Sequence, residues 1–476
     1  MTTGFTSYAA YKDSGVPWLG QVPGHWERRK LRNVLRPVTV RNRPDLPLLS
    51  VVREKGVILR DVTNKDENHN FIPEDLTNYK VVHKGQFAIN KMKAWQGSNG
   101  VSQHNGIVSP AYFVFNLNGA SGDFFHAAIR SQAYVPLFTR ASDGVRIGQW
   151  DLSLTQMREI PFFIPPPEEQ QAIVRYLKVM DRRIKRFIQN RQRLIEVLNE
   201  QKQAIINHAV TKGLDPNVKL KPSGVEWLGD IPEHWEAKPA KRLYREIDQR
   251  SPDGTEELLS VSHLTGVTPR SQKNITMFMA ESYAGHKICQ PGDLVINTMW
   301  AWMGALGISC RKGIVSPSYA VYRPLKGSRL AGEYADLLLR TVPYVSEFAC
   351  RSTGIRSSRL RLYPDTFLRI PIICPPLEEQ RTLTDHISRA TYQLNHAREQ
   401  TEKEIALIRE YQTRLIADVV TGKVDIRRAA QSLRSYEAEG DEQPEENDLP
   451  MAAEANPLYG SDGMDKPNLL ESTGHL

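Results

Sequence analysis

The amino-acid sequence predicts an α+β protein in which two similar globular domains are joined by two long antiparallel helices. Three observations support this fold class. The chain repeats itself, since "VPWLGQVPGHW" at residues 16–26 returns as "VEWLGDIPEHW" at residues 225–235. The first part of each copy is rich in β-branched and aromatic residues broken by Gly, Pro, Asn and Asp, which is typical of short strands and loops. The second part has heptad spacing and almost no Gly or Pro, which is typical of a long helix.

The repeat is the duplication of a whole domain. Matching motifs keep an offset of 207 to 210 residues, which chance similarity would not hold over so many positions. After the opening motif they are "LLSV" (48–51, 258–261), "AINKMKAWQG" and "VINTMWAWMG" (88–97, 295–304), "GIVSPAY" and "GIVSPSY" (106–112, 313–319), "IPFFIPPPEEQ" and "IPIICPPLEEQ" (160–170, 370–380), and "VTKG" and "VTGK" (210–213, 420–423). This period far exceeds the roughly 20–50 residues of a solenoid repeat, so each copy should have its own core.

The helical part of each copy covers residues 168–211 and 378–421. Its apolar stripe comprises Ile173, Leu177, Met180, Ile184, Phe187, Leu194, Leu198 and Ile205 in the first copy, and Leu383, Ile387, Leu394, Ile408, Tyr411 and Leu415 in the second. A proline and a Glu-Glu pair mark each N-terminus, where negative charge meets the positive end of a helix. Such a helix is about 66 Å long, and its stripe needs a partner. Its own duplicate is the nearest candidate, and an approximate two-fold axis would make the two helices antiparallel, with one globular domain at each end.

These patterns predict five segments: a first globular domain at residues 1–165, a central helix at 166–214, a second globular domain at 215–375, a C-terminal helix at 376–430 and an acidic tail at 431–476. From residue 436 onward the chain has eleven Asp or Glu against the single Lys466. Such a composition, with few apolar residues, is typical of disorder. We therefore expect the tail to be disordered.

The charge of the remaining chain suggests a polyanionic partner. The whole protein has a net charge of +8, but residues 1–435 alone have 61 basic and 43 acidic side chains. Nucleic acid is the commonest partner of so basic a protein. No apolar run approaches the about 18–20 residues that a membrane span needs, and no signal peptide is recognisable. The four cysteines lack metal-ligand spacing, so we expect isolated buried thiols and a cytoplasmic protein without membrane contact.

The sequence offers no catalytic or metal-binding constellation. It has no GxxxxGK[ST] phosphate loop and no glycine-rich turn after a hydrophobic strand. The "NPLY" at residues 456–459 only faintly resembles the Asn-Pro-Pro-Tyr of adenine methyltransferases and lacks companion motifs. His25 and His234 have no second ligand nearby in sequence, so packing or hydrogen bonding explains them better than catalysis. The Glu pairs are likewise better explained by helix-start electrostatics.

Candidate binding residues lie in two loop regions of each copy. They are Lys91, Lys93, Trp95, Gln96, Asn99, Gln103, Arg140, Arg146 and Gln149 in the first copy, and Asn297, Thr298, Trp300, Trp302, Arg351, Arg356, Arg359 and Arg361 in the second. Such side chains can bond base edges and phosphates. The glycine and apolar positions are shared between the copies, whereas the polar ones differ. This pattern favours two domains that read two different short sequences, although ordinary solvated loops remain the alternative.

The chain resembles the specificity (S) subunit of type I restriction–modification systems over residues from about 11 to 427. The motifs that carry the resemblance are "SGVPWLGQVPGHWE" and "SGVEWLGDIPEHWE" at the start of each half, "IPFFIPPPEEQ" and "IPIICPPLEEQ" at the end of each globular domain, and the long helix after each. Their order, occurring twice, is specific to that family. The acidic tail departs from the family pattern.

The resemblance implies that the globular domains are target-recognition domains, each binding half of a split double-stranded DNA sequence, and that the helices form a coiled-coil spacer. It implies two methyltransferase (modification) subunits and two motor–nuclease (restriction) subunits as partners. S-adenosylmethionine, ATP and Mg²⁺ would bind to those partners, with no cofactor and no metal on this chain, which would be non-catalytic. This chain would direct adenine methylation and restriction by those partner subunits, a phage defence.

Three alternatives remain open at this stage. The partner could be a fused methyltransferase–nuclease of a related bipartite system. The chain could modify or cut DNA itself, although no motif for either reaction is recognisable. It could also be a free-standing DNA-binding or coiled-coil scaffold protein, and a loss of affinity with rising salt would favour DNA over protein contacts.

Overall fold

The computed structural model describes residues 6–61, 72–144, 150–272, 282–354 and 360–438. The acidic tail after residue 438, including the "NPLY" at 456–459, lies outside the described residues. The chain divides into two units: unit 1 comprises Met1–Lys185 and Arg409–Leu476, and unit 2 comprises Arg186–Ile408. Each unit contains one globular domain, called here a head, and parts of both long helices.

Head 1 is built on a four-stranded antiparallel sheet surrounded by two-stranded pairs. Its strands are β1 (Tyr11–Asp13), β2 (Gln21–Pro23), β3 (Glu27–Lys30), β4 (Leu35–Val38), β5 (Leu49–Val52), β6 (Gly56–Leu59), β7 (Lys80–Val82), β8 (Phe87–Asn90), β9 (Asn99–Val101), β10 (Gly106–Val108), β11 (Tyr112–Leu117), β12 (Ser142–Asp143), β13 (Asp151–Leu152) and β14 (Pro161–Ile164). The sheet has the order β4-β11-β8-β9, and the pairs are β1-β2, β5-β6, β7-β10, β12-β13 and β3-β14. Its helices are α1 (Leu31–Val34), α2 (Gly122–Ile129), α3 (Val135–Arg140) and α4 (Leu154–Glu159), after which the long helix α5 (Pro167–Lys212) begins.

Head 2 repeats this topology. Its strands are β15 (Leu220–Pro222), β16 (Asp230–Pro232), β17 (Glu236–Pro239), β18 (Tyr244–Ile247), β19 (Leu259–Ser262), β20 (Gly266–Pro269), β21 (Lys287–Cys289), β22 (Leu294–Asn297), β23 (Leu306–Ile308), β24 (Gly313–Val315), β25 (Tyr319–Pro324) and β26 (Pro371–Cys374). The order β18-β25-β22-β23 matches the sheet of head 1 strand for strand. The helices are α6 (Gly332–Leu339), α7 (Val342–Arg351) and α8 (Pro364–Phe367), followed by the long helix α9 (Leu377–Val420) and by α10 (Arg427–Ala438).

Each sheet separates two apolar clusters, because successive side chains of a strand point to opposite faces. In β8, Phe87 and Ile89 join the larger cluster, which also contains α2 and α3 residues, whereas Ala88 joins the smaller one beneath β5 and β6. In β22, Leu294 and Ile296 join the larger cluster of head 2, and Val295 joins the smaller one. The two heads therefore share an internal architecture as well as a topology.

The long helices pack against each other in antiparallel order within each unit. In unit 1, Gln412 of α9 donates to Asp181 of α5 at 2.9 Å. In unit 2, Arg191 pairs with Glu404 at 3.0 Å and Lys202 donates to Asn395 at 2.8 Å, so the residue numbers rise along one helix as they fall along the other. The predicted α+β class with two packed long helices is confirmed.

The apolar stripe is less enclosed at some positions than its heptad spacing predicts. Ile173 and Leu383 are fully buried near the helix starts, but Leu194 and Tyr411 are each 37% exposed. A further departure concerns the thiols, because Cys310 and Cys350 are exposed, contrary to the expectation that all four cysteines are buried.

The repeated motifs contact one another where each head meets its long helix. In unit 1, Glu169 of the "EEQ" motif is buried and receives hydrogen bonds from Tyr8 (2.6 Å) and Trp26 (3.0 Å), and it lies 2.6 Å from His25. In unit 2, His234 lies 2.8 Å from Glu379. The hydrogen-bonding explanation of the two histidines is confirmed.

The glutamine of each "EEQ" motif anchors the start of one helix of its head, α2 in head 1 and α6 in head 2. Gln170 accepts a hydrogen bond from the backbone N–H of Ser121 at 2.7 Å, and Ser121 is the N-cap of α2. Gln380 accepts the equivalent bond from Ala331, the N-cap of α6, at 2.7 Å. Both glutamine side chains also donate to the carbonyl of a nearby proline, Pro165 or Pro375. The motif thus sets the relative position of head and helix through buried hydrogen bonds.

The end of α9 lies beside the first repeated motif within unit 1. The backbone N–H of Asp425 donates to the Thr6 carbonyl at 3.0 Å, and Val419 and Val420 share a cluster with Trp26. In unit 2, the end of α5 has the equivalent neighbour, because Gly213 faces the Trp235 ring. The two heads therefore make the same helix contact. In unit 2 the helix leads directly into the head, whereas in unit 1 the head and the helix come from opposite ends of the repeat region.

Candidate nucleic-acid interface

The loop after β8 in head 1 folds around a 3₁₀ turn at Ala94–Gln96. Asn90, at the end of β8, accepts a hydrogen bond from the Met92 N–H through its side chain at 3.1 Å, which holds the chain in a turn. Gly97 ends the turn with a φ of 88°, a conformation that favours glycine. The buried Ala94 fixes the turn to the head, whereas Met92 and Lys93 before it are exposed.

Two aromatic rings and an ion pair hold this loop against the segment around β13. Trp95 packs on Trp150 with ring centroids 5.3 Å apart, and Lys91 pairs with Asp151 at 2.6 Å. Thr139 of α3 donates to the Trp95 carbonyl at 3.0 Å. The structure therefore brings Lys91 and Trp95 next to Trp150 and Asp151, which border the second predicted loop region.

The remaining head 1 candidates differ in exposure. Lys93, Gln103 and Arg140 are exposed and Gln96 is partly buried. Asn99 is fully buried at 0% exposure, and its side-chain amide has no hydrogen-bond partner among the described residues. Asn99 is thus enclosed in the head rather than presented on its surface in this conformation. Arg146 and Gln149 lie outside the described residues.

Head 2 forms the equivalent loop around a 3₁₀ turn at Ala301–Met303, closed by Gly304 with a φ of 79°. Asn297 and Thr298 are buried and position the loop: Asn297 accepts from the Met299 N–H at 3.2 Å, and Thr298 donates to the Ser318 carbonyl at 2.7 Å.

Two tryptophans form the half-exposed surface of that loop. Trp300 and Trp302 stack with ring centroids 6.2 Å apart and an interplanar angle of 18°. Trp302 also donates to the Met299 carbonyl at 3.0 Å, which fixes its ring. Lys93 of head 1 occupies the position of Trp300, so a charged surface in one head is replaced by an aromatic one in the other.

The arginine candidates of head 2 border the second loop. Arg351, at the end of α7, pairs with Glu347, and Arg361 forms a two-way backbone pairing with Thr353. The Leu362 N–H donates to the Thr298 carbonyl at 2.9 Å, which brings this segment to the tryptophan loop. Arg356 and Arg359 lie outside the described residues.

Sequence reasoning overlooked the turn between β5 and β6 and its counterpart between β19 and β20. Residues 52–55 read "VREK" and residues 262–265 read "SHLT", between the identical flanks "LLSV" and "GV". This alternation of identity and difference is the same signal that marked the tryptophan loops, and it could have identified the turns.

The described residues offer neither a metal site nor a membrane span. They contain no group of three or more His, Cys, Asp and Glu side chains arranged to hold a metal ion. Within the same ranges no helix is both long and apolar enough to cross a membrane.

The chain thus contains two copies of one α+β head, and each copy has a tryptophan-bearing loop with different neighbouring side chains. Residues 129–197 match the model of the type I restriction modification DNA specificity domain. The chain is 23% identical over 245 residues to a protein of Methanocaldococcus jannaschii assigned as the specificity subunit of type I restriction enzyme MjaX. That match covers 46% of this chain and 52% of the relative, so it spans about half the length of each.

One solved structure shows a similar fold. A chain from a study of complex assembly and conformational transition of the type I R-M system aligns with a TM-score of 0.57 and 16% identity, over 84% of this chain and 99% of that one. The HsdS subunit from Thermoanaerobacter tengcongensis aligns over 84% and 98% with 16% identity, but with a TM-score of only 0.42. The chain is thus similar to type I restriction–modification specificity subunits, and the resemblance read from its motifs is confirmed.

Proposed function

We propose that this chain is the DNA-recognition subunit of a type I restriction–modification complex and binds a bipartite target. The observation that carries the proposal is the duplicated loop surface: one backbone frame occurs twice, with Lys91 and Lys93 in head 1 where head 2 has Thr298 and Trp300. Base edges are distinguished by hydrogen-bond and apolar contacts, so different side chains on one frame fit two different half-sites. The family-model match at residues 129–197 supports the same function.

In this proposal the segments 1–165 and 215–375 are target-recognition domains, and 166–214 and 376–430 are spacer helices between them. The chain itself performs no catalysis. Two modification subunits and two motor–nuclease subunits supply adenine methylation and cleavage, together with S-adenosylmethionine, ATP and Mg²⁺. The complex acts in the cytoplasm. A fused methyltransferase–nuclease partner is a variant of this proposal, and the subunits that co-purify with the chain decide between them.

Exchange of one head tests the proposal. Residues 13–165 are replaced by the corresponding head of another specificity subunit, and the methylated motif is determined by methylome sequencing of cells that contain the whole system. One half of the motif should change while the other half and the gap remain. No bipartite motif in the parent system would refute the proposal, and a change in both halves would refute independent reading by the heads.

A second test concerns the spacer. Insertion of one helical turn into α5 should lengthen the tolerated gap and leave both half-sequences unchanged, because the rise of an α-helix is about 5.4 Å per turn. An altered half-sequence with an unchanged gap would contradict the spacer assignment.

A further inference from the structure

The turn between β5 and β6 of head 1 has the same backbone as the turn between β19 and β20 of head 2, but its side chains differ. The last paired residues are Val52 with Gly56 in head 1 and Ser262 with Gly266 in head 2. The hairpin tips defined by these pairs are residues 53–55 and 263–265. Every tip position differs between the heads, from Arg-Glu-Lys to His-Leu-Thr, whereas residues 48–51 are identical to residues 258–261.

A glycine closes each tip for two reasons. Gly56 has a φ of 77° and Gly266 a φ of 65°, a region that other residues rarely adopt. A β-carbon on Gly56 would also lie only 3.2 Å from the guanidinium of Arg130, and one on Gly266 only 2.9 Å from that of Arg340. The glycine thus permits both the turn and the close approach of an arginine.

That arginine holds the tip through its backbone. Arg130, at the end of α2, donates to the carbonyls of Arg53 (2.7 Å) and Glu54 (2.9 Å). It also donates to the carbonyl of Asn99, the first residue of the strand after the Trp95 loop. One guanidinium therefore ties the hairpin tip to the candidate interface of head 1.

Head 2 uses the same device. Arg340, at the end of α6, donates to the carbonyls of His263 (2.5 Å) and Leu264 (3.1 Å). Because both arginines bind carbonyls, the position of the tip does not depend on which side chains it carries. The tip side chains are then free to differ without loss of the fold, as the two heads illustrate.

Five of the six tip side chains are exposed, and His263 is partly buried. The side chains of Arg53 and Glu54 are 69% and 74% exposed, and Lys55 is exposed as well. Leu264 is 51% exposed, although a leucine at a turn stabilises little unless it contacts something apolar. Their chemistry suits the edges and backbone of DNA: cations for phosphates or guanine in head 1, and an apolar side chain for a thymine methyl group in head 2.

We infer that the two hairpin tips are further DNA-reading elements, one per head, and that Arg130 and Arg340 are their positioning residues. The inference rests on the proposed function and deepens it, because it adds a second reading segment beside each tryptophan loop. Head 1 reads with the tip Arg53-Glu54-Lys55 and head 2 with the tip His263-Leu264-Thr265.

Paired tip variants in the whole complex test the inference. In R53A/K55A, affinity for the cognate duplex should fall about five- to hundredfold, and the slope of log affinity against log salt should shrink by up to about 2, since each phosphate contact releases counterions. The matched variant L264A/T265A should weaken or relax the other half-site with an unchanged salt slope. Unchanged affinity and unchanged methylated motifs in both variants would overturn the inference. The parent complex is measured in parallel, and a parent without a bipartite motif would refute the proposed function instead.

The positioning role is tested by R130M, with R340M as its counterpart in head 2. R130M should change recognition of only the half-site that R53A/K55A changes, and it should add less than twofold to the affinity loss when the variants are combined. A purely structural role predicts lower thermal stability with an unaltered motif, or independent losses that multiply. Either result would refute the assignment of Arg130.

Discussion

Replacement of Gly422 by alanine probes the contact between the end of α9 and the first repeated motif. A β-carbon at this position would lie 2.3 Å from Cδ of Pro23 and 3.2 Å from the Trp26 ring. The ring atom of Pro23 is bonded to the backbone, so it cannot move away as the end of a flexible side chain could. The φ of 74° adds a separate cost for any residue with a β-carbon.

Gly213, the equivalent residue at the end of α5, separates these two costs. Its φ of 81° is similar, but a β-carbon there would lie 3.5 Å from the Trp235 ring, an ordinary contact distance. Left-handed backbone costs a residue with a β-carbon about 1–2 kcal/mol, and overpacking adds about 1–3 kcal/mol. We therefore expect G213A to lower the free energy of unfolding by about 1–2 kcal/mol and G422A by about 2–5 kcal/mol.

Urea unfolding followed by tryptophan fluorescence measures the difference. With a urea dependence of about 2 kcal/mol/M, an extra loss of 1–3 kcal/mol lowers the midpoint by about 0.5–1.5 M relative to G213A. Hydrogen exchange localises the effect, which should increase exchange at residues 21–30 in G422A and at residues 230–239 in G213A. Equal midpoints, or no increase at residues 21–30, would refute the contact between the end of α9 and head 1.

Three other predictions concern single side chains. Burial and the neighbouring Arg130 lower the pKa of His126 to about 4, below its unfolded value of about 6.5. Unfolding between these two pH values therefore takes up a proton. Unit 1 should lose up to about 3 kcal/mol of its free energy of unfolding as the pH falls from about 6.5 to about 4. Thermal unfolding of H126N should lack this loss, and a parent curve that is flat over the same range would contradict the prediction. E169A leaves buried donors unpaired and should lower the free energy of unfolding in urea by about 2–4 kcal/mol. E379A should lower it by less than about 1 kcal/mol, because Glu379 is 30% exposed. Similar losses in the two variants would be inconsistent with the different burial. R191L removes a half-exposed ion pair from the helix seam and should change the unfolding free energy by no more than about 1 kcal/mol, so a larger loss would show that the pair does more than its exposure suggests.

The general architecture could be predicted because its signals are properties of the chain itself. A constant offset between motifs reveals a duplicated domain, and heptad spacing reveals a helix with a partner. The spacing does not reveal how closely the partner helix approaches, so the 37% exposure of Leu194 could not be predicted from it. The exposure of Cys310 and Cys350 was missed for a similar reason, because composition carries no information on which face of its segment a thiol occupies.

The candidate interface was only partly visible in the sequence. Trp95 and Trp302 were found because their flanks repeat, and the hairpin tips could have been found by the same comparison. The enclosure of Asn99 could not, since it depends on α2, which follows it by more than twenty residues and packs over its strand. Long-range packing of this kind decides whether a polar side chain is a surface contact or part of the core.

The residue opposite the hairpin tip illustrates which properties the duplication preserves. His126 of α2 accepts a hydrogen bond from the Val101 N–H at 3.1 Å, and Asp336 of α6 accepts one from the Ile308 N–H at the same distance. Burial lowers the pKa of the histidine and raises that of the aspartate. The histidine therefore destabilises its head as the pH falls, and the aspartate destabilises its head as the pH rises, although both accept the same backbone hydrogen bond. The shared feature is therefore an acceptor for a backbone N–H, as Arg130 and Arg340 share a donor for backbone carbonyls. A frame fixed by backbone hydrogen bonds places no requirement on the side chains that it presents, and this gives a physical reason why one fold can carry two different reading surfaces.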